Sequence, residues 1–444
     1  MIIVIKNGWL IEPSSNFSGK SDIGIENGMV SAIGTDLKGD VYIDAEGMIV
    51  SPGFVDIHVH FREPGFESKE TIASGARASA HGGVTSVVTM PNTMPPIDNA
   101  GMVELVVRRA QDLDGIHIYP AACATKGREG KELTEMADLL QSGAVAVTDD
   151  GNDIESSSVL RHVLEYAGMV GLPYLAHCED FALSEGGAMN EGVISTLLGI
   201  PGIPKEAEET RIERNIRLAK LANAPIHIQH VTTKRGVEII RNAKKEGIPV
   251  TAETCPHYWM LKDSQIENYN SNMKMNPPLR EEEDIQAIIE GLKDGTIDCI
   301  ATDHAPHTRT EKNVPFQEAP FGIIGLETLL GCVIEGLVKP GYLSIEKALQ
   351  LLTKNPANII KINAGTLEVG TSADITIFNP DEEWIVTEDY FYSKSANSPF
   401  IWTKLCGKVK YTLCCGKVLY LDKDVLLPEG LSVSPTFLCD TFLL

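Results

Sequence analysis

A chain of 444 residues with 61 acidic and 38 basic side chains has a formal charge of −23, a balance that repels a polyanion and excludes a phosphate-tracking nucleic-acid binder. With 43% hydrophobic and 22% charged residues the composition suits a globular protein, and the length allows one large core with a smaller companion or two to three average domains. Nine cysteines, none in a C-x-x-C pair, cannot all pair with one another and read as reduced thiols. No run reaches the roughly 18 apolar residues of a membrane span, and the N-terminus has no basic region of a signal peptide, so no membrane association and a cytoplasmic location are expected.

Short alternating strands fill residues 1–51, punctuated by Asn-Gly, Gly-Lys and Glu-Gly turns, with strands expected at 1–5, 9–11, 41–43 and 48–50. The same texture returns at 373–378, 384–386, 409–413 and 416–420. Two β-rich ends around a different middle predict one small β-sandwich domain built from 1–51 plus 365–430. The apolar tail at 431–444 has no evident role; packing on that β domain or on a neighbouring subunit are both open.

Between the ends, short apolar strands alternate with helical patterns, as in parallel βα units. Strands are expected at 53–60, 85–89, 116–121, 144–148, 174–177, 226–231, 250–254 and 297–302, with helical patterns following, among them 69–80, 157–167, 209–221 and 326–337. Eight is the number that closes a (β/α)8 TIM-type barrel, expected over 52–364. An open doubly wound sheet shows the same alternation, but neither a G-x-G-x-x-G after the first strand nor a Walker A sequence is present to favour it.

The first barrel strand ends Asp56-Ile57-His58-Val59-His60-Phe61-Arg62. Strand alternation puts His58 and His60 on one face, where two imidazoles can grip one metal ion. Alone, a His-x-His pair is more often structural. Five of the other seven expected strands also end in or lead into metal-capable groups: Asp149 and Asp150 on the fourth, His177 on the fifth, His227 and His230 on the sixth, His257 after the seventh, Asp303 and His304 after the eighth. In a barrel that end is the active-site face. A nitrogen and oxygen donor set with no required thiolate suits catalytic Zn²⁺, and four His with two carboxylates suit two ions roughly 3.5 to 4 Å apart. Asp150 is the natural bridge between them, with Asp149 a competitor that alternation does not eliminate. Arg62 could take a carboxylate in bidentate fashion, with Asn92 and His307 as further donors. The long connection 304–322 reads as a mobile cover over the site.

Five segments carry a resemblance: Asp56 to His60, Met90-Pro91-Asn92-Thr93, His177-Cys178-Glu179-Asp180, Thr254-Cys255-Pro256-His257, and Ala301-Thr302-Asp303-His304-Ala305-Pro306-His307. In this order and spacing they resemble the amidohydrolase superfamily, and within it the bacterial class I dihydroorotase family, over essentially the whole chain. The resemblance implies that His58, His60 and Asp303 hold one zinc, that His177 and His230 hold a second, and that Asp150 bridges them. It also implies Asp303 as catalytic acid and base, and His60, Arg62, Asn92, Asn276, His307, Phe321 and Gly322 as substrate contacts. Many superfamily members bridge with a carboxylated lysine, whereas 144–151 here has none. The implied activity is reversible cyclisation of N-carbamoyl-L-aspartate to dihydroorotate in pyrimidine (UMP) biosynthesis, by a homodimer with association with aspartate transcarbamoylase left open. Alternatives are a hydantoinase, dihydropyrimidinase or allantoinase, or an inactive scaffold for the transcarbamoylase.

Overall fold

The computed structural model describes residues 1–266 and 268–437. Its central sheet has eight strands, β1 (Phe54–Val59), β2 (Val84–Thr89), β3 (His117–Ala122), β4 (Ala146–Val147), β5 (Tyr174–Ala176), β6 (Ile226–Ile228), β7 (Val250–Thr254) and β8 (Cys299–Ile300), each beside its sequence neighbour. All neighbours pair in parallel. The barrel closes just past the strand ends, where Val59 bridges His304 and the His60 amide donates to the His304 carbonyl at 2.8 Å. The buried Asp56 carboxylate reinforces this seam by accepting from the Thr302 amide and hydroxyl. Val55, Val88, Ala121, Ala146, Leu175 and Cys299, from six different strands, share one apolar cluster. They fill the barrel beneath its polar rim.

Helices follow the strands as the periodicity predicts, for example Ile72–His81, Ser157–Val170, Glu206–Ala222, Lys234–Lys245 and Glu282–Asp294. The first starts where Thr71 accepts from the Ser74 amide, a capping box. Gly75 lets that helix lie against Phe61, since a Cβ there would stand 2.4 Å from the ring. The 326–337 pattern is not one regular helix; it divides into a 3-10 turn at Leu326–Thr328, an α segment at Leu329–Val333 and a π turn at Ile334–Val338.

A six-stranded sheet runs in the order Lys417–Leu421, Lys404–Cys414, Ile375–Ile385, Ile49–Pro52, Trp9–Glu12, Phe17–Lys20, so strands from both chain ends share one ladder. A second sheet orders Met29–Gly34, Asp22–Glu26, Ile2–Lys6 and Val41–Asp44. Ile5, Ile23 and Ile43 of the second pack with Leu10, Val50, Ile375 and Leu413 of the first in one core, which makes the pair a sandwich. Three of these strands, at 17–20, 22–26 and 29–34, lie where no strand is expected from the sequence. The described part of the tail returns to the first sheet: Val433 bridges Val418, and Phe437 is buried against Gly115 of the barrel. The rest, 438–444, lies outside the described residues.

Candidate active site at the barrel mouth

Six side chains from five barrel strands meet above the apolar layers, all buried. The His58 and His60 rings stand 5.4 Å apart between centroids. His60 Nε2 is 3.0 Å and His58 Nε2 3.5 Å from Asp303 Oδ1. Asp150 divides its two oxygens: Oδ1 is 3.3 Å from His58 Nε2 and 3.9 Å from both His177 Nδ1 and His230 Nε2, while Oδ2 is 3.5 Å from His60 Nε2. His177 Nδ1 and His230 Nε2 are 2.9 Å apart. Burial would push the Asp150 and Asp303 carboxyls up, but the facing imidazoles hold both well below the usual carboxylate range. The rings divide the positive charge among themselves: burial and the neighbouring His177 and His58 bring His230 down to about 3, whereas the carboxylates overcome burial at His58 and raise it.

This donor set fits metal. Nε2 of His58 is buried at the centre of the cluster with no hydrogen-bond partner, a cost that a bound cation removes. The outward nitrogens are already committed: Nδ1 of His58 to Glu253 at 2.6 Å, Nδ1 of His60 to the Asn92 side-chain oxygen at 2.8 Å, and Nε2 of His177 to Glu179 at 2.9 Å. Each of these bonds fixes a tautomer and leaves the inward nitrogen as a ligand. Two groups of three can each hold one ion, His58 with His60 and Asp303, and His58 with Asp150 and His230. His58 is common to both, and the resemblance assigns it to the first.

A cavity of about 240 Å³ opens above this cluster, lined by Arg62, Asn92, Asn276, His307, Phe321 and Gly322 together with His60, Asp150, His177, His230 and Asp303. Arg62 is held in a left-handed backbone conformation (φ 61°) with Nε donating to the Pro306 carbonyl at 3.3 Å. Burial lowers its pKa to about 10, so the guanidinium stays charged at neutral pH. His307 donates from Nε2 to the Phe321 carbonyl at 2.8 Å, and Lys69 lies 3.3 Å from its Nδ1. Asn276 donates to Glu179 at 2.7 Å. The connection over the site carries a short helix, Arg309–Lys312, capped by Thr308 and Glu311.

Not every strand-end group joins the cluster. Asp149 turns away and accepts from the Thr125 amide at 3.0 Å and from its hydroxyl. His227 faces Thr251 and Glu253, and His304 accepts from the Gly325 amide. His257 is buried with its Nε2 unpartnered. His230, expected inside the sixth strand, and Asp303, expected just after the eighth, both lie beyond the ladder: β6 ends at Ile228 and β8 at Ile300, and both His230 (φ 33°) and Asp303 (φ 47°) leave β geometry. Glu253 and Glu179 are parts of the site that sequence reasoning missed. Glu253 sits inside the expected seventh barrel strand, Val250-Thr251-Ala252-Glu253-Thr254, where a buried acid needs a partner, and that was the available signal.

A parallel barrel whose strand ends gather four imidazoles and two carboxylates under one small cavity defines a hydrolase of the amidohydrolase class. Residues 256–420 match the model described as "Amidohydrolase family", and residues 47–236 the one described as "Dihydro-orotase-like". Curated relatives named dihydroorotase include those of Acetivibrio thermocellus (48% identical over 96% of this chain and 100% of the relative) and Endomicrobium trichonymphae (49%, 95% and 100%). Among solved structures, the L-hydantoinase (dihydropyrimidinase) of Arthrobacter aurescens superposes with a TM-score of 0.85 at 25% identity, covering 96% of this chain and 97% of its own. Dihydropyrimidinase from Brevibacillus agri shares the fold at 23% identity and TM-score 0.81, over 95% of this chain and 96% of its own. The chain belongs to the dihydroorotase family.

Proposed function

We propose that this chain interconverts N-carbamoyl-L-aspartate and (S)-dihydroorotate, with two Zn²⁺ held by His58, His60, Asp150, His177, His230 and Asp303. The observation that carries the reading is the half-buried guanidinium of Arg62 lining the same 240 Å³ cavity as Asp303. A half-buried cation lining the cavity beside the reacting end selects a ring that bears a carboxylate. When bound, the ions supply Lewis-acid polarisation of the cyclic amide carbonyl and lower the pKa of water at the site.

The chain's own residues do the rest. Arg62, with Asn92 and His307 beside it, binds the ring carboxylate and so fixes which face of the amide meets Asp303. Asp303 is ionised and within 3.0 Å of His60 Nε2. In the hydrolytic direction its carboxylate takes a proton from the attacking water and returns it to the leaving ring nitrogen. In the cyclising direction it accepts the proton of the ureido nitrogen and delivers it to the departing carboxyl oxygen, which leaves as water. Asn276 and the backbone at Phe321 and Gly322 border the ring. By resemblance the working unit is a cytoplasmic homodimer, and sedimentation of the purified chain with and without aspartate transcarbamoylase tests that assembly.

Zinc per chain, measured alongside turnover of dihydroorotate and of hydantoin in one preparation, tests the activity. Zinc approaching two per chain with dihydroorotate strongly preferred supports it. Zinc with only hydantoin turned over would give the cavity to a neutral ring, as in the hydantoinases that share the fold.

A further inference from the structure

A second group of ligand-type side chains stands at the opposite end of the barrel. His117 opens β3, Asp374 immediately precedes Ile375–Ile385, and Cys414 and Cys415 end Lys404–Cys414 and begin the turn after it. His117 Nε2 is 3.0 Å from Asp374 Oδ2 and 4.0 Å from Cys415 Sγ. One ligand atom from each of the four residues lies within 4.8 Å of all the others. Atoms sharing one tetrahedral Zn²⁺ stand about 3.3 to 3.8 Å apart, given bonds of about 2.0 to 2.3 Å. Closing onto an ion would therefore take only small rotations.

Adjacent residues of a strand point to opposite faces, so two neighbouring cysteines would ordinarily not meet. Here Cys415 takes a left-handed conformation (φ 48°), which turns its sulfur back toward the side where Cys414 is buried. The Asp374 Oδ1 fixes that turn by accepting from the Cys415 amide at 2.8 Å and from the Ser372 hydroxyl at 2.7 Å. Its Oδ2 remains directed at His117. None of the four residues belongs to the catalytic cluster. Seven of the eight described cysteines are buried, and the exposed one is Cys415.

We propose that His117, Asp374, Cys414 and Cys415 form a structural site for a borderline-soft divalent cation of the Zn²⁺ class. Two thiolates, an imidazole and a carboxylate make a closed four-donor set, with no position left for substrate. The ion would tie the base of the barrel, through β3, to the sheet built from both chain ends.

Cobalt separates this site from the catalytic one, because the proposed catalytic ligands include no sulfur. The reduced protein is loaded with Co²⁺, and the thiolate-to-cobalt charge-transfer absorption is read with the bound metal count for wild type, Cys415→Ser and His117→Gln. The expected result is a thiolate band in wild type and one more bound ion per chain than in Cys415→Ser. The band is lost in that variant and weakened in His117→Gln, with dihydroorotate turnover kept in both. His117 is partly exposed, so its variant tests the site even where loss of Cys415 disturbs folding. No thiolate band in wild type would overturn the proposal. So would a band of equal strength in both variants, which would place the metal on other thiols such as Cys299 beside His227 and Glu253.

Discussion

Nδ1 of His58 lies 2.6 Å from Oε1 of Glu253, and both side chains are buried from solvent. The other oxygen of the same carboxylate stands 3.1 Å from Nε2 of His227. Burial would raise the Glu253 carboxyl, but the two imidazoles bring it down to about 2, so Glu253 is an anion that aligns His58 and keeps Nε2 turned inward. Carboxylate partners of this kind typically contribute 10- to 100-fold in metal affinity. Glu253→Gln is therefore expected to lose metal about 10 to 100 times more readily in a chelator titration, with little change in KM once metal is restored. Unchanged metal affinity would remove the orienting role.

In the proposed reaction Asp303 combines a metal-ligand position with proton transfer. An amide in its place can still offer an oxygen but cannot carry the proton. Asp303→Asn should lower kcat by about 10² to 10⁴, while metal content falls only in part. Near-wild-type turnover at full metal loading would show that another group moves the proton.

In the proposed reaction Arg62 separates substrates rather than driving chemistry. Hydrogen bonds to charged groups contribute about 1.5 to 3 kcal/mol, so Arg62→Ala should reduce kcat/KM for dihydroorotate by about 10- to 150-fold. Any residual turnover of hydantoin, which lacks the carboxylate, should change little. Equal losses on both rings would mean that Arg62 supports the cavity instead of reading the substrate.

The sequence exposed the barrel because parallel strands buried on both faces are short apolar runs between amphipathic helices, a pattern that survives in one dimension. It exposed most cavity residues because they cluster at strand ends. Asp149 and Asp150 show where that reasoning stops: β4 is only two residues long, so alternation has no register to extend, and the tie to Thr125 is what turns Asp149 outward. His230 and Asp303 reach the cluster through positive φ angles that no periodicity encodes. The unexpected hairpin between Asp22–Glu26 and Met29–Gly34 did leave a signal, since Asn27 and Gly28 both have positive φ and Asn-Gly is a strong hairpin turn. Glu253 was harder to find, because its partners His58 and His227 come from other strands and meet it only once the barrel is assembled.

Lys312 gives a pH dependence that does not involve the metal cluster. Its ammonium is buried beneath the connection over the site and donates to the carbonyls of Pro320 at 2.9 Å, Gly322 at 3.0 Å and Lys274 at 3.3 Å, so it pins the backbone that borders the cavity. Burial, reinforced by the Lys274 charge, lowers its pKa from 10.5 to about 7. Below pH 7 the folded and unfolded chains both carry the proton, and its contribution is constant. Between pH 7 and about 10.5 the unfolded chain binds the proton more often than the folded one, so stability rises with pH across that window, by up to about 1.4 kcal/mol per pH unit. Lys312→Met should flatten this slope in denaturant titrations between pH 7 and 10, relative to wild type. By freeing Gly322 and Pro320 it should also raise KM severalfold while leaving metal content unchanged. A variant that keeps the wild-type slope would place the titration elsewhere in the chain, and one that keeps the wild-type KM would show that the cavity wall holds its shape without this lysine.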